Sequence, residues 1–205
     1  MRRNAFNSRW SELHGGVEVQ GVIALWLRIS FWIARVLAFF RLTPNILTTI
    51  GMLSSFLIYY TTYTSQLIGL VIFSLICDGV DGSLAIYRNK TSKFGELYDS
   101  IADRITEAFW LMGATFVGVP MRWAIAIWVL GATQEYARAR LASLGYSEIG
   151  VVTPAERPVR AIFIIAITLS FQLGYDYFTQ MAIGFTILQA IGLLMVMRMA
   201  RSILR

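Results

Sequence analysis

The sequence predicts an all-α integral membrane protein, with six transmembrane helices preceded by an N-terminal amphipathic helix that lies in the membrane interface. Hydrophobic residues make up 57% of the 205 positions, and charged residues only 15%. A soluble domain carries about 25% charged residues. In addition, apolar segments of roughly 20 residues, the length needed to cross a hydrocarbon core, recur along the chain. Composition and segment length therefore favour a membrane protein before any motif is considered.

Six segments have the length and apolar character of membrane spans: residues 43–63, 66–88, 93–117, 120–143, 157–174 and 177–199. Pro44, Pro120 and Pro158 fall near predicted helix starts, where a missing N–H costs nothing. The links between segments are short and leave no room for a second domain. We therefore expect an N-terminal cytoplasmic segment, residues 1–42, followed by one six-helix membrane domain, residues 43–205.

Residues 21–41 form a separate apolar stretch before the first span. Arg28, Arg35 and Arg41 are spaced by seven and six residues, which places them near one face of a helix. This pattern favours a helix lying in the interface, with Trp26, Phe31 and Trp32 towards lipid. A seventh membrane span is the alternative.

The distribution of basic residues predicts the orientation. With six spans, nearly all 18 Lys and Arg fall on the side that holds the N-terminal segment, the 88–93 loop, the 138–160 connection and the C-terminus. Basic residues concentrate on the cytoplasmic side of membrane proteins. We therefore expect both termini in the cytoplasm. The net charge of +6 indicates anionic lipid as the partner, rather than nucleic acid.

Four of the 12 acidic residues form one pattern at the cytoplasmic ends of the second and third spans: Asp78, Asp81, Asp99 and Asp103. Spacings of three and four residues place each pair on one helical face. Two antiparallel helices with a short link would bring the pairs together. Charges at membrane depth are costly, so four anions need a cation. Carboxylates without His or Cys suit Mg²⁺ or Mn²⁺, and two ions would suit phosphoryl displacement.

Two further sets of residues have two interpretations each. The small residues Gly82, Ala85 and Gly95 border the acidic pairs, where they allow either a ligand to approach the backbone or close helix packing. Basic residues end the fourth span and begin the fifth, at Arg138, Arg157 and Arg160. Arginine binds phosphate through two parallel hydrogen bonds, yet these residues would also serve as cytoplasmic anchors or as partners of Glu135 and Glu156.

Residues 78–103, DGVDGSLAIYRNKTSKFGELYDSIAD, resemble the signature of the CDP-alcohol phosphotransferases, D-x2-D-G-x2-A-R-x8-G-x3-D-x3-D. Every fixed position matches except the arginine, which is Ile86 here. Either Arg88 supplies the missing charge, or the contact is absent. The segment EYARAR, which begins at Glu135, and the later ERPVR, which begins at Glu156, are similar to the branch that makes phosphatidylinositol phosphate or archaetidylinositol phosphate.

The resemblance implies a reaction in which a CDP-linked donor, commonly CDP-diacylglycerol, gives its phosphatidyl group to an alcohol and releases CMP. It implies that Asp78, Asp81 and Asp99 hold metal, and that Asp103 is the general base and also touches metal. It assigns the nucleotide to Asp78, Asp81, Gly82, Ala85 and Gly95, and the phosphate of a small polar acceptor, inositol phosphate or glycerol phosphate, to Arg138, Arg157 and Arg160. A homodimer is a further implication.

Two alternatives to this enzyme stay open at the level of the sequence. The first is a catalytically altered relative that binds nucleotide or a partner, which the Ile86 departure favours. The second is an ion or solute transporter, since intramembrane carboxylates also line ion paths. The far halves of the predicted spans are mainly apolar or aromatic, which argues against a path across the bilayer.

Overall fold

A computed structural model describes residues 1–61, 64–146 and 152–204, and every regular element within these ranges is helical. The eight α-helices are α1 Arg3–Leu13, α2 Gly21–Phe39, α3 Pro44–Phe56, α4 Thr64–Tyr87, α5 Lys93–Phe116, α6 Met121–Ser143, α7 Arg157–Gln172 and α8 Phe178–Ile203. A short 3-10 helix, Leu57–Tyr60, follows α3. The all-helical class is therefore confirmed.

Helices α3 to α8 each overlap one of the six predicted spans, but α3 ends at Phe56, well before the predicted end at residue 63. Residues 62–63 of that span lie outside the described residues. Within the described ranges, three helices are long and apolar enough to cross a membrane, namely α2, α4 and α8. Helices α3 and α7 have only 13 and 16 residues, and α5 carries charge in its first half. The chain is thus an integral membrane protein by its apolar helices, while the count of six spans stays a prediction.

The structure divides the chain into two compact units, and the division falls within α4 and α5. The first unit comprises Met1–Ser55 and Phe73–Thr106, and the second comprises Phe56–Ile72 and Glu107–Arg205. In the second unit Trp110 is buried, and the ring of Phe163 stacks on that of Phe185 with centroids 4.2 Å apart. The predicted boundary at residue 42 stays a prediction. The first unit has a core of small and aliphatic side chains: Ala34, Leu47, Cys77, Val80 and Leu84.

Helix α1 is an element that hydropathy did not predict, because residues 3–13 are mostly polar. It is held by Phe6, which is fully buried and meets Phe31 of α2 edge-on, with ring centroids 5.3 Å apart. Leu27 of α2 and Ile86 of α4 complete this cluster. Trp10 of α1 packs against the same cluster, so two aromatic side chains dock α1 onto its neighbours.

Helix α2 forms as predicted, but its lipid-facing residues differ from the prediction. Trp32 is exposed, whereas Phe31 is only 5% exposed and packs in the cluster around Phe6. Trp26 lies against Gly79 of α4. The assignment of Phe31 and Trp26 to the lipid side was therefore wrong, because both share the helical face of Leu27 and Ala34, which packs inward.

The link between α4 and α5 is short because both helix ends are capped locally. Asn89 adopts the left-handed conformation (φ 53°), and Lys90 donates from its N–H to the carbonyl of Ala85 at 2.8 Å, which closes α4. Ser92 begins α5 by accepting from the N–H of Gly95 at 3.0 Å. This tight turn places the carboxylates at the end of α4 beside those at the start of α5.

Candidate active site

Three carboxylates from α4 and α5 meet in the first unit. One carboxylate oxygen from each of Asp78, Asp99 and Asp103 lies within 4.8 Å of the others, and all three side chains are partly buried. The helical spacing explains the arrangement, because Asp99 and Asp103 are one turn apart on α5 and the capped link brings the end of α4 alongside. Three of the four acidic residues in the pattern therefore converge.

Asp81 is held differently from these three residues. It is 5% exposed, and one carboxylate oxygen accepts a hydrogen bond of 2.5 Å from the hydroxyl of Thr48 on α3. The other oxygen accepts from the N–H of Gly82 at 2.6 Å. The charges of Asp99 and Asp78 act on it electrostatically. Asp81 thus adjoins the group, and each of its oxygens also accepts one hydrogen bond from the protein.

The chemistry of the group fits a divalent cation. Three anionic oxygens so close together repel one another, and the repulsion grows where water is partly excluded. All of them are hard oxygen ligands, which Mg²⁺ and Mn²⁺ prefer. Mg²⁺ is commonly bound by one or two carboxylates together with substrate phosphates. The residues present therefore suit an ion shared between the protein and a phosphorylated ligand.

A cavity of about 510 Å³ adjoins the group within the same unit, and Asp99 belongs to both. Its wall contains every residue predicted for the nucleotide except Asp78: Asp81, Gly82, Ala85 and Gly95. A Cβ placed on Gly82 would meet nothing within 4 Å, so this glycine leaves open space rather than close packing. A Cβ on Gly95 would lie 3.1 Å from the hydroxyl of Ser92, so this glycine permits the α5 cap.

The structure also defines the surroundings of Ile86, the position that departs from the signature. Ile86 is 4% exposed, lines the cavity and packs against the cluster around Phe6. Arg88 donates from Nη1 to the carbonyls of Arg41 and Leu42, which lie between α2 and α3. The guanidinium of Arg88 is thus bound to backbone carbonyls rather than placed on the cavity wall.

The three predicted acceptor residues lie in the second unit, where each has an acidic partner. Arg138 makes two hydrogen bonds to Glu156, of 2.6 and 2.9 Å. Arg160 is 3% exposed, and its Nη2 lies 2.9 Å from Glu107. Arg157 lies 3.6 Å from the same carboxylate and over the ring of Trp110. The arginines therefore have glutamate partners, which was one of the interpretations that the sequence allowed.

Hydrogen bonds to Glu156 lower the pKa of its carboxyl group. Burial alone would raise its pKa, but hydrogen bonds from Arg138 and from the N–H and hydroxyl of Thr153 outweigh burial and lower the pKa from 4.5 to about 2. Beyond Thr153 the chain of hydrogen bonds continues through Gln134 to Gln189, both fully buried. A connected polar network therefore joins α6, the start of α7 and α8.

Several residues of the site were missed by sequence reasoning. Thr48 lies 33 positions before Asp81, and no local pattern connects the two residues. Trp10 and His14 line the cavity from α1, while Trp26 lines it from α2. His14 is exposed, and it also borders the cavity. The sequence assigned Trp26 to the lipid side, and it indicated no role for Trp10.

Apolar helices, a carboxylate group suited to a divalent ion and an adjoining cavity define a membrane-embedded phosphotransferase. A family model described as CDP-alcohol phosphatidyltransferase matches residues 41–200, and the chain belongs to this family of transferases in phospholipid synthesis. Family membership supports the enzyme over the transporter.

Three similar proteins illustrate the relationship. The archaetidylinositol phosphate synthase of Pyrococcus horikoshii is 34% identical over 149 residues, which cover 69% of this chain and 78% of the relative. The phosphatidylinositol phosphate synthase of Cutibacterium acnes is 28% identical over 158 residues, 70% of this chain and 75% of the relative. The crystal structure of Mycobacterium tuberculosis phosphatidylinositol phosphate synthase with CDP-DAG bound superposes with a TM-score of 0.64. It is 24% identical and covers 83% of this chain and 91% of that one.

Proposed function

We propose that this enzyme transfers the phosphatidyl group of CDP-diacylglycerol to a hydroxyl of a small phosphorylated polyol, inositol phosphate before glycerol phosphate, and releases CMP. The observation that carries the proposal is the group of three carboxylates beside a cavity lined by Asp81, Gly82, Ala85 and Gly95. The solved relative with CDP-DAG bound supports the choice of donor. The names of the relatives, both synthases of inositol phosphate lipids, support the choice of acceptor.

In this proposal Asp78, Asp99 and Asp103, with Asp81 beside them, would hold one or two Mg²⁺ or Mn²⁺ ions. When bound, the ions would neutralise the diphosphate and the developing charge on CMP. Asp103 takes the proton of the acceptor hydroxyl, whose oxygen then bonds to the phosphorus that carries diacylglycerol. The bond from that phosphorus to the bridging oxygen breaks, and CMP leaves with the oxygen and its electron pair. Positioning and electrostatics supply most of the acceleration in such transfers.

Arg138, Arg157 and Arg160 are proposed to hold the phosphate of the acceptor. A guanidinium that already pairs with a carboxylate is oriented, and a dianionic phosphate competes with that carboxylate for its N–H groups. The side chains of Arg138 and Arg157 are 22% and 11% exposed, against 4% for Arg160. We therefore assign direct contact to Arg138 and Arg157 first, with Arg160 supporting them through Glu107.

The placement in the membrane is also part of the proposal. The active site and both termini face the cytoplasm of the cell membrane, as the basic residues predict. Helix α2 lies in the interface, where a two-chain donor enters sideways from the bilayer, and the protein forms a homodimer. A cysteine introduced at either terminus would react with an impermeant maleimide only after the membrane is opened.

The test is CMP release by the purified protein in detergent, with CDP-diacylglycerol, Mg²⁺ or Mn²⁺, and a panel of acceptors. The panel contains inositol phosphate, glycerol phosphate, inositol, serine and no acceptor. We expect release that needs metal and inositol phosphate. Asp103→Asn should lower kcat by about 10²- to 10⁴-fold, the usual contribution of a general base. Ser100→Ala, which changes an exposed residue on the same helix, should retain activity.

The outcomes separate the parts of the proposal. Release with another acceptor would overturn the acceptor assignment and leave the transferase intact. An Asp103→Asn variant as active as the wild type would remove Asp103 as the base. No release from folded protein with any acceptor would favour the catalytically altered relative.

A further inference from the structure

Ile86, which stands where the signature has arginine, packs against α1, a helix outside the region that the family model matches. That region begins at residue 41, whereas α1 spans Arg3–Leu13. Ile86 occupies the place of the signature arginine on the wall of the cavity, and its apolar side chain packs with Phe6 of α1 and with Leu27 and Phe31 of α2. An arginine here would bring a charge into an apolar cluster, at a large cost in desolvation. An apolar residue at position 86 is therefore what the packing of α1 requires.

Docking through Phe6 sets the other end of α1 against the cavity. Phe6 is fully buried, and the following turns carry Trp10 and His14 at intervals of four residues, on the same face of the helix and its C-terminal extension. Both rings line the cavity that contains Gly82, Ala85 and Asp99. The wall that α1 contributes is thus aromatic, while the wall from α4 and α5 is acidic and small.

The two rings of α1 are fixed relative to each other. They stack with centroids 4.0 Å apart and planes 15° from parallel. The Nδ1 atom of His14 lies 2.8 Å from the carbonyl oxygen of Trp10, and because a carbonyl only accepts, Nδ1 carries the proton and donates. Nε2 is therefore the ring nitrogen available to a ligand. A stacked pair held in this way gives up little conformational freedom when a planar group binds against it.

We propose that α1 is a substrate-binding element, in which the Trp10–His14 pair contacts the nucleotide of the donor. A pyrimidine ring stacks on aromatic side chains, and the ribose hydroxyls can donate to Nε2 of His14. The proposal rests on the proposed function and adds to it a recognition surface for the cytidine end. Helix α1 thus supplies aromatic and polar contacts to a wall where Ile86 offers only an apolar side chain.

The composition of the wall favours the nucleotide over the acyl chains as the group that α1 contacts. Besides the two rings, the cavity is bordered by Asn45, Ser83, Lys90 and Glu96, which suit hydroxyl, phosphate and amino groups. Its volume of about 510 Å³ falls within the usual range for small-molecule sites, about 300–1,000 Å³.

The first measurement is the dissociation constant of CMP for the full-length protein in detergent with Mg²⁺, by calorimetry. Trp10→Ala and His14→Ala should each raise it by roughly 5- to 150-fold, which is the range for loss of one base–aromatic stack. Trp10→Phe should recover most of the affinity. Trp32→Ala removes an exposed tryptophan from α2 and should leave the dissociation constant unchanged. In turnover assays the KM for CDP-diacylglycerol should rise while kcat stays near that of the wild type.

The second measurement reports occupancy of the cavity without altering Trp10 or His14. Leu13→Cys places a thiol on the cavity wall, Ser8→Cys places one elsewhere on the exposed surface of α1, and the natural Cys77 is buried. Saturating CMP with Mg²⁺ should slow maleimide labelling of the first thiol and leave the second unchanged. Equal labelling rates with and without CMP at both positions would overturn the proposal.

The two proposals fail in different ways. If wild-type protein binds CMP and turns over, while Trp10→Ala and His14→Ala bind CMP normally, α1 is only a scaffold and the proposed function stands. If the folded wild type neither binds CMP nor releases it from CDP-diacylglycerol, both the proposed function and the role of α1 are rejected. Should Trp10→Ala fail to fold, Trp10→Phe and the labelling of Leu13→Cys decide.

Discussion

The individual carboxylates of the site comprise three that lie close together and a fourth that accepts hydrogen bonds from Thr48 and Gly82. Asp78, Asp99 and Asp103 approach within 4.8 Å of each other, whereas Asp81 receives the hydroxyl of Thr48 and the N–H of Gly82. A buried carboxylate without donors would be strongly destabilising. Thr48 therefore has a structural role that can be measured separately from catalysis.

Replacing Thr48 by Val removes the hydroxyl and retains the shape of the side chain. The oxygen of Asp81 would then lack its donor from α3 within a buried site, which costs about 1–3 kcal/mol of unfolding free energy. Thr48→Ser keeps the donor and should be destabilised less, by the small decrease in methyl packing alone. Unfolding by a chaotrope in detergent measures the unfolding free energy of both variants. Equal destabilisation of the two would assign the effect to packing.

Glu156 gives a prediction about pH. Because its pKa falls from 4.5 in the unfolded chain to about 2 in the folded protein, its ionised form stabilises the fold. That contribution is complete above pH 4.5 and is lost as the pH falls towards 2. The stability difference between wild type and Glu156→Gln should therefore shrink across this interval in unfolding titrations.

A matched control for this prediction is Glu12→Gln. Glu12 lies in an exposed ion pair with Arg9, 3.1 Å apart, and such pairs contribute little. Its removal should change stability only slightly at any pH of the series. The prediction is contradicted if the stability difference between wild type and Glu156→Gln stays constant from pH 5 to pH 2. The stabilising effect of Glu156 would then not depend on ionisation of its carboxyl group.

At the scale of the helices, α2 packs against α4 at the short segment between Asp78 and Asp81. Gly79 lies between Asp78 and Asp81, and a Cβ there would be 2.6 Å from Cζ2 of Trp26. The two helices approach closely at this point only because residue 79 has no side chain. Gly82, nearly one turn later, has open space within 4 Å of where a Cβ would stand, and it faces the cavity.

Gly79→Ala and Gly82→Ala should therefore affect different properties. The first forces α2 and α4 apart and should lower the unfolding temperature, with activity falling because Asp78 and Asp81 move. The second should leave the unfolding temperature unchanged, or raise it slightly through helix propensity, and should raise the KM for the donor. Thermal unfolding and CMP-release kinetics distinguish them. Gly79→Ala combined with Trp26→Ala should recover stability relative to Gly79→Ala alone, and no recovery would contradict the contact.

Across the chain as a whole, hydropathy located helices α3 to α8 because each lies in a mainly apolar segment of the sequence. The spacing of the acidic residues located the carboxylate group because one helical turn relates Asp99 to Asp103. Hydropathy missed α1, because its mostly polar sequence is docked by only two apolar side chains, Phe6 and Trp10. The inward face of α2 was also missed, since Phe31 and Trp32 look alike until a neighbour covers one of them. Local periodicity predicts elements, while partners distant in sequence decide which residues meet.

The carboxylate group makes the stability of the protein depend on divalent ions, and the direction can be predicted. Without metal, the mutual repulsion of Asp78, Asp99 and Asp103 opposes folding, so Asp99→Asn should be more stable than wild type in EDTA. With saturating Mg²⁺ the wild type gains the binding free energy, about 2.7 kcal/mol at one hundred times Kd, and the order should reverse. Asp176→Asn, which changes an exposed residue outside the group, should follow wild type in both conditions. Thermal unfolding in EDTA and in Mg²⁺ measures all three proteins, and an Asp99→Asn variant that Mg²⁺ stabilises as much as wild type would rule out this group as the metal site.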